Sequence, residues 1–150
     1  TMTKQVLLTI SGLQMMDGET NEPVEIVTAG DYYFRNGKHY VLYDEVIEGT
    51  SGHIQNTVKI GPESLEVMKK GLSNVHMVFE KNKKNLACYD TPFGSMMVGI
   101  QTGHVEVQET EDNIDIQVKY ALNINDGFLA DCHIRMNIKS KDAGDFSLQQ

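Results

Sequence analysis

Five histidines, two cysteines and twenty-one carboxylates are the side chains of this 150-residue chain that could hold a metal, attack a carbonyl or move protons. A zinc site needs three or four ligands converging, each oriented by an outer partner. The histidines form no local ligand pair, and His76, His104 and His133 fall on the polar parity of the strands described below, where imidazoles face solvent. No metal site is expected. Cys88 and Cys132 lie far apart without metal or redox spacing, and each sits at an apolar-parity position, where a cysteine behaves as a small buried hydrophobe. Free thiols of this kind fit a reducing compartment. Glu106, Glu109, Glu111 and Asp112 crowd one predicted turn and read as a solvated acidic loop. The chain has no Gly-x-Ser-x-Gly elbow, phosphate-binding glycine loop, dinucleotide fingerprint or His-Glu-x-x-His helix. No catalytic residue, no cofactor and no enzyme activity are expected.

Tyrosines 32, 33, 40, 43, 89 and 120 remain, each offering an apolar body with one polar tip. The arginines, Arg35 and Arg135, both take the polar parity and are poorly placed to clamp a carboxylate inside a barrel.

Twenty-one acidic against thirteen basic residues leave a formal charge of −8, which repels a phosphate backbone and argues against nucleic acid as a partner. Lys69 and Lys70, and Lys81, Lys83 and Lys84, fall in predicted turns and are expected to be solvated. No apolar run approaches the roughly 20 residues of a membrane helix, and no leader pattern opens the chain. A cytoplasmic protein without a membrane partner is the expectation.

These side chains must be positioned by strands. Val6, Leu8 and Ile10 alternate with Leu7, Thr9 and Ser11, a period-two pattern that Asp17-Gly18 and Asn21 to Pro23 interrupt. Runs from about Val24 to Phe34 and from Lys38 to Val46 flank Asn36-Gly37, the strongest short hairpin signal. Folding there sets Phe34 opposite His39, Tyr32 opposite Val41 and Gly30 opposite Tyr43, with Tyr32, Phe34, Val41 and Tyr43 facing the core. Runs near His53 to Ile60, Ser64 to Lys70, Asn74 to Glu80 and Lys84 to Asp90 follow, punctuated by Gly61-Pro62, Gly71, Asn82 and Thr91 to Gly94.

The last third is the most regular. Ile114, Ile116, Val118, Tyr120, Leu122 and Ile124 form one dry face, and Phe128, Ala130, Cys132, Ile134, Met136 and Ile138 form another. A one-residue slip reverses every side chain. A three-residue Asn125-Asp126-Gly127 loop, with Gly127 as a left-handed bulge residue, therefore pairs Leu122 with Ala130 and Tyr120 with Cys132. From Ser95 to Gln108 the apolar parity changes near Gly103, which predicts one long strand bent by a bulge.

About ten strands joined by short turns, with no amphipathic helix, predict an all-β, single-domain antiparallel meander closed into a barrel of 8–10 strands. The core spans about 4–139, residues 140–150 form a tail, and an open two-sheet β-sandwich is the alternative.

Gly30-Asp31-Tyr32-Tyr33 with the Asn36-Gly37 hairpin into Tyr40-Val41-Leu42-Tyr43, then Met77-Val78-Phe79-Glu80, then Tyr89-Asp90-Thr91-Pro92-Phe93-Gly94, resemble the bacterial YwiB-like domain of unknown function. The likeness runs from Val6 to Ile138. It implies a calycin-type barrel, lipocalin-like in architecture and cytoplasmic, and it carries over no catalytic or binding residue. The chain has no tryptophan, so the Gly-x-Trp signature of lipocalins is missing.

Two functions follow as expectations. A barrel that takes a small apolar or amphipathic ligand would line its interior with Phe79, Val98, Tyr120, Leu122, Cys132 and Met136. Alternatively, a protein-interaction or structural module with a packed core would engage a protein partner or a second copy in a homodimer. Tyr33 and Tyr40, aromatics on the face opposite the core, would anchor it.

Overall fold

The computed structural model describes residues 2–13, 25–46, 49, 52–71, 74–91, 94–124 and 127–141. They form β1 (Gln5–Ser11), β2 (Glu25–Arg35), β3 (Lys38–Val46), β4 (His53–Gly61), β5 (Ser64–Gly71), β6 (Val75–Glu80), β7 (Lys83–Thr91), β8 (Gly94–Glu109), β9 (Asn113–Ile124) and β10 (Gly127–Ser140). All belong to one antiparallel sheet in the order β6-β5-β4-β3-β2-β1-β10-β9-β8-β7. Every strand except β6 therefore pairs with its successor, as the meander reading expects, and the first and last strands meet in the β1–β10 ladder. That ladder runs from Val6 opposite Ser140 to Ser11 opposite Arg135. The sheet's two outer strands, β6 and β7, come together without a ladder among the described residues, and Tyr89 Oη reaches Met77 Sδ across their seam at 3.1 Å. The result is a nearly closed barrel.

Alternation decides what fills it. Val6, Leu8, Ile10, Val41, Val58, Ile60, Leu65, Val67, Met77, Phe79, Val98, Ile100, Ile114, Ile116, Val118, Ile134, Met136 and Ile138 point inward and are buried in one cluster. Their polar neighbours face water.

Local chemistry sets the registers. Asn36 and Gly37 both take left-handed backbone angles, φ 52° and 78°, which match the right-handed strand twist and set Arg35 opposite Lys38. Tyr32 faces Val41 and Phe34 faces His39, as expected. In β8 the register shifts between Thr102 and His104, so inward positions pass from Val98, Ile100 and Thr102 to Val105. This is the bend expected near Gly103.

Several expectations are corrected. Phe34 is 59% exposed, because the β1–β2 ladder ends at Gln5 opposite Asp31 and the hairpin tip runs on past β1. The β2–β3 ladder extends only from Arg35 back to Asp31, opposite Leu42, so the Gly30–Tyr43 pair does not form. Tyr120 does face Cys132 and Leu122 does face Ala130, but Gly127 pairs directly with Ile124. The extra residue is taken up inside β10, between Phe128 and Ala130, and Phe128 turns outward at 65% exposure. Asn125 and Asp126 lie outside the described residues. Cys88 is exposed, and Cys132 is half-buried. Lys69, expected in a solvated turn, lies within β5 and is 6% exposed, because it continues the inward series Leu65, Val67.

Two glycines make this geometry testable. At Gly12, φ +80°, a Cβ would run into the His133 carbonyl of the neighbouring strand, whereas at Gly37, φ +78°, it would meet nothing within 4 Å. Gly37→Ala is expected to cost about 1–2 kcal/mol, the strain of a left-handed L-residue alone. Gly12→Ala is expected to cost more, since backbone must also move. Urea denaturation of the two variants measures the difference.

Candidate functional site

Of the six residues expected to line a ligand cavity, Phe79, Val98, Tyr120, Leu122 and Met136 are buried in the core and Cys132 packs against it half-buried. Phe79 and Tyr120 meet edge to face, ring centres 4.8 Å apart. Tyr120 and Cys132 also border an open cleft of about 490 Å³ beside the Gly103 bend. Burial pushes the Cys132 thiol up and nearby Asp131 adds to this, while a hydrogen bond from Tyr120 opposes it. Such a thiol is a poor nucleophile. Tyr33 and Tyr40 lie opposite each other on the outer face and stack on one another, centroids 4.8 Å apart and planes 3° from parallel, with Lys59 Nζ 5.6 Å from the Tyr40 ring centre.

Most of the histidines act as surface partners. His76 contacts Glu66, His104 Nε2 lies 3.3 Å from Glu106, and His133 Nε2 lies 3.2 Å from Gln117. Among the described residues no group of three His, Cys, Asp or Glu side chains could hold a metal ion.

Two polar constellations escaped the sequence reading. The first is inside the barrel wall, where β3, β4 and β5 bring Glu45, Asn56 and Lys69 together from inward positions. Lys69 Nζ donates to Glu45 Oε1 at 2.6 Å and to Asn56 Oδ1 at 2.8 Å, and Asn56 Nδ2 donates to the same Glu45 oxygen at 2.9 Å. Lys69 and Asn56 are buried, whereas Glu45 is 28% exposed. A buried ammonium is tolerated because both a carboxylate and an amide oxygen receive it. Tyr43, directly opposite Asn56, is also buried, and its hydroxyl has no hydrogen-bond partner among the described residues. Burial, aided by the Glu45 carboxylate, pushes the Tyr43 phenol well up, so it stays an O–H donor. Parity held the signal: Asn56 shares the period of Ile54, Val58 and Ile60, and Lys69 that of Leu65 and Val67.

The wall is incomplete beside this cluster. Up to Gly30, β2 pairs with β1, and the first β2–β3 pair is Asp31 with Leu42. Tyr43 and the rest of β3 pair with β4. A cleft of about 610 Å³ lies along this break, lined by Gln5, Val6, Leu7, Ala29, Gly30, Asp31, Leu42, Tyr43, Asp44 and Lys141.

The second constellation is at the barrel end that carries the Asn36-Gly37 turn. His39 Nδ1 and the Tyr32 hydroxyl are 2.7 Å apart, and His39 Nε2 meets Glu109 Oε2 at 2.7 Å. In the neutral imidazole the carboxylate holds the proton on Nε2, so Nδ1 accepts from the phenol. The Tyr32 hydroxyl is raised above its ordinary range by burial first and by Glu109 second.

This nearly closed meander of ten strands defines an antiparallel β-barrel protein. The chain belongs to the family described as a domain of unknown function, DUF1934, whose model matches residues 8–136. It is similar to the "Uncharacterized beta-barrel protein YwiB" of Bacillus subtilis (strain 168), with 24% identity over 126 residues, covering 83% of this chain and 87% of the relative. The crystal structure of the ywiB protein from Bacillus subtilis superposes with a TM-score of 0.73 at 20% identity, over 91% of this chain and 92% of that one. These likenesses agree with the YwiB-like resemblance of the sequence and with the fold.

The interior charge cluster makes an asymmetric prediction. Glu45→Ala strands the Lys69 ammonium in a buried position and is expected to cost about 3 kcal/mol. Lys69→Met leaves a carboxylate that can turn to water, and should cost clearly less; chemical denaturation of both variants measures this. His133 offers a pH test. Burial, then Arg135, Lys119 and His104, lower its pKa, so the unfolded chain binds the proton more readily than the folded one. The group's contribution is complete above the ordinary histidine value of about 6.5 and is lost as pH falls from there through the lowered folded value. His133→Gln should flatten the decline of stability between about pH 7 and 5 in thermal melts.

Proposed function

We propose that this protein binds a small amphipathic molecule along the break in its barrel wall, the head group meeting Tyr43. The observation that carries this reading is the buried Tyr43 hydroxyl, which has no partner among the described residues, near a buried ammonium on the inward face of a largely apolar barrel. A buried polar group left unpaired costs about 1–3 kcal/mol, and a ligand oxygen would recover it. Lys69 has a third N–H to give beyond those received by Glu45 and Asn56. The cleft along the break has the volume of a ligand site, and Val6, Leu7, Ala29 and Leu42 supply apolar surface for a tail.

The burial of Phe79, Val98, Leu122 and Met136 in one core cluster supports placing the ligand at the wall. The outward side chains of β9, among them Asp115, Gln117 and Lys119, suit a protein surrounded by water. Outward positions of a membrane-spanning barrel are apolar. No helix among the described residues is long and apolar enough to cross a membrane.

Decanol and decanoic acid are suitable probes, titrated below their aggregation limits by calorimetry. Saturable binding of at least one is expected, weakened roughly three- to tenfold by Tyr43→Phe, the loss of about one hydrogen bond. Titrations that never saturate, together with no small molecule released from the purified protein by denaturing extraction, would overturn the proposal.

A further inference from the structure

The cleft at the Asn36-Gly37 end asks for a different ligand. It encloses about 1000 Å³ and is lined by Met2, Lys4, Asp31, Tyr32, Tyr33, Phe34, Leu42 and Glu109. Three of the eight lining residues are aromatic, two are carboxylates and one is a lysine. Phe34 is 59% exposed and Tyr33 and Leu42 are more than a third exposed, and the three stand together here. We propose that this cleft is a second binding site, for a small organic cation with an apolar body, such as a substituted ammonium.

The argument is one of complementarity. Aromatic faces attract cations through their negative π-surfaces, and carboxylates beside them supply the opposite charge. Glu109 is fixed at the cleft by the Nε2–H of His39, whose ring is packed edge-on against Phe34, centroids 5.1 Å apart. With the His39 Nε2–H on Glu109, Tyr32 donates its O–H to His39 Nδ1 at 2.7 Å, and its own oxygen is left as an acceptor. An anionic ligand would meet two carboxylates and an acceptor oxygen, with Lys4 alone in its favour. The chain's net charge of −8 also draws cations toward every face.

The arrangement has a structural origin. Phe34 is exposed because β2 outruns β1, and Glu109 arrives from β8, whose bend at Gly103 alters its course over its last residues. Neither residue belongs to the buried core. The cleft shares Asp31 and Leu42 with the wall cleft, but Tyr33, Phe34 and Glu109 belong to this one and Ala29 and Tyr43 to the other.

Benzyltrimethylammonium, benzyl alcohol and phenylacetate, which share a ring and differ in charge, test the assignment by amide chemical-shift titration of the intact protein. The ammonium is expected to shift the amides of Tyr33, Phe34 and Glu109 saturably, with benzyl alcohol weaker and phenylacetate weakest. Phe34→Ala and Glu109→Gln should each weaken the ammonium roughly two- to fivefold, while leaving amides elsewhere unmoved. Raising salt from about 0.1 to 1 M should weaken it further, as the Debye length falls from about 10 to 3 Å. Equal affinity for the three probes, unchanged binding by both variants, shifts centred on other residues, or no saturation would each overturn the proposal.

Discussion

Everything in this molecule depends on the pairing of its first strand with its last. Strands β1 to β10 could lie side by side in sequence order as an open ribbon, with an exposed row of amide groups along each margin. Placing Val6 against Ser140 and Ser11 against Arg135 turns that ribbon through a closed circuit and gives the inward faces a common interior. The contact spans nearly the whole chain, so loop-closure entropy opposes it, and the burial of Val6, Leu8 and Ile10 against Ile134, Met136 and Ile138 offsets that cost. Ser140 reinforces the join by accepting a hydrogen bond from the Thr3 amide at 3.0 Å.

Once the circuit is closed, inward positions become scarce, and the polar groups that occupy them stand out. Glu45, Asn56 and Lys69 take three neighbouring inward positions and satisfy one another, which is the condition for keeping charge away from water. Tyr43, Asn85 and Thr102 each keep one buried polar atom without a partner among the described residues. Apolar residues at these positions would pack with less penalty. Tyr43 and its charged neighbours sit where β2 parts from β3, so one of these orphaned groups lies beside a break in the wall, while Asn85 and Thr102 belong to β7 and β8.

Most of the architecture was legible in the sequence because one rule governs it. Period-two alternation fixes both where a strand runs and which face is dry, so the strand limits, the Asn36-Gly37 hairpin, the Gly103 bend and the Tyr120–Cys132 register could all be read. The rule failed where a strand lacks a neighbour or absorbs an extra residue. Phe34 keeps the inward parity yet has no β1 beside it, and Phe128 is turned outward by a bulge that leaves no mark on composition. The polar constellations were missed for a different reason. Lys69 was assigned from its charge to a turn, although its parity with Leu65 and Val67 places it inside, and the meeting of His39 with Glu109 requires two segments seventy residues apart, a contact that no local pattern encodes.

The seam between β6 and β7 gives the barrel a property that a fully laddered cylinder lacks. Its lips are tethered by the turn at Lys81 and Asn82 and by side chains such as Tyr89 on Met77, without rungs between the strands among the described residues. Changing the girth of a continuous barrel means breaking a column of backbone hydrogen bonds together. Across the seam the described residues have no such column, so the girth can change there by sliding side chains past one another.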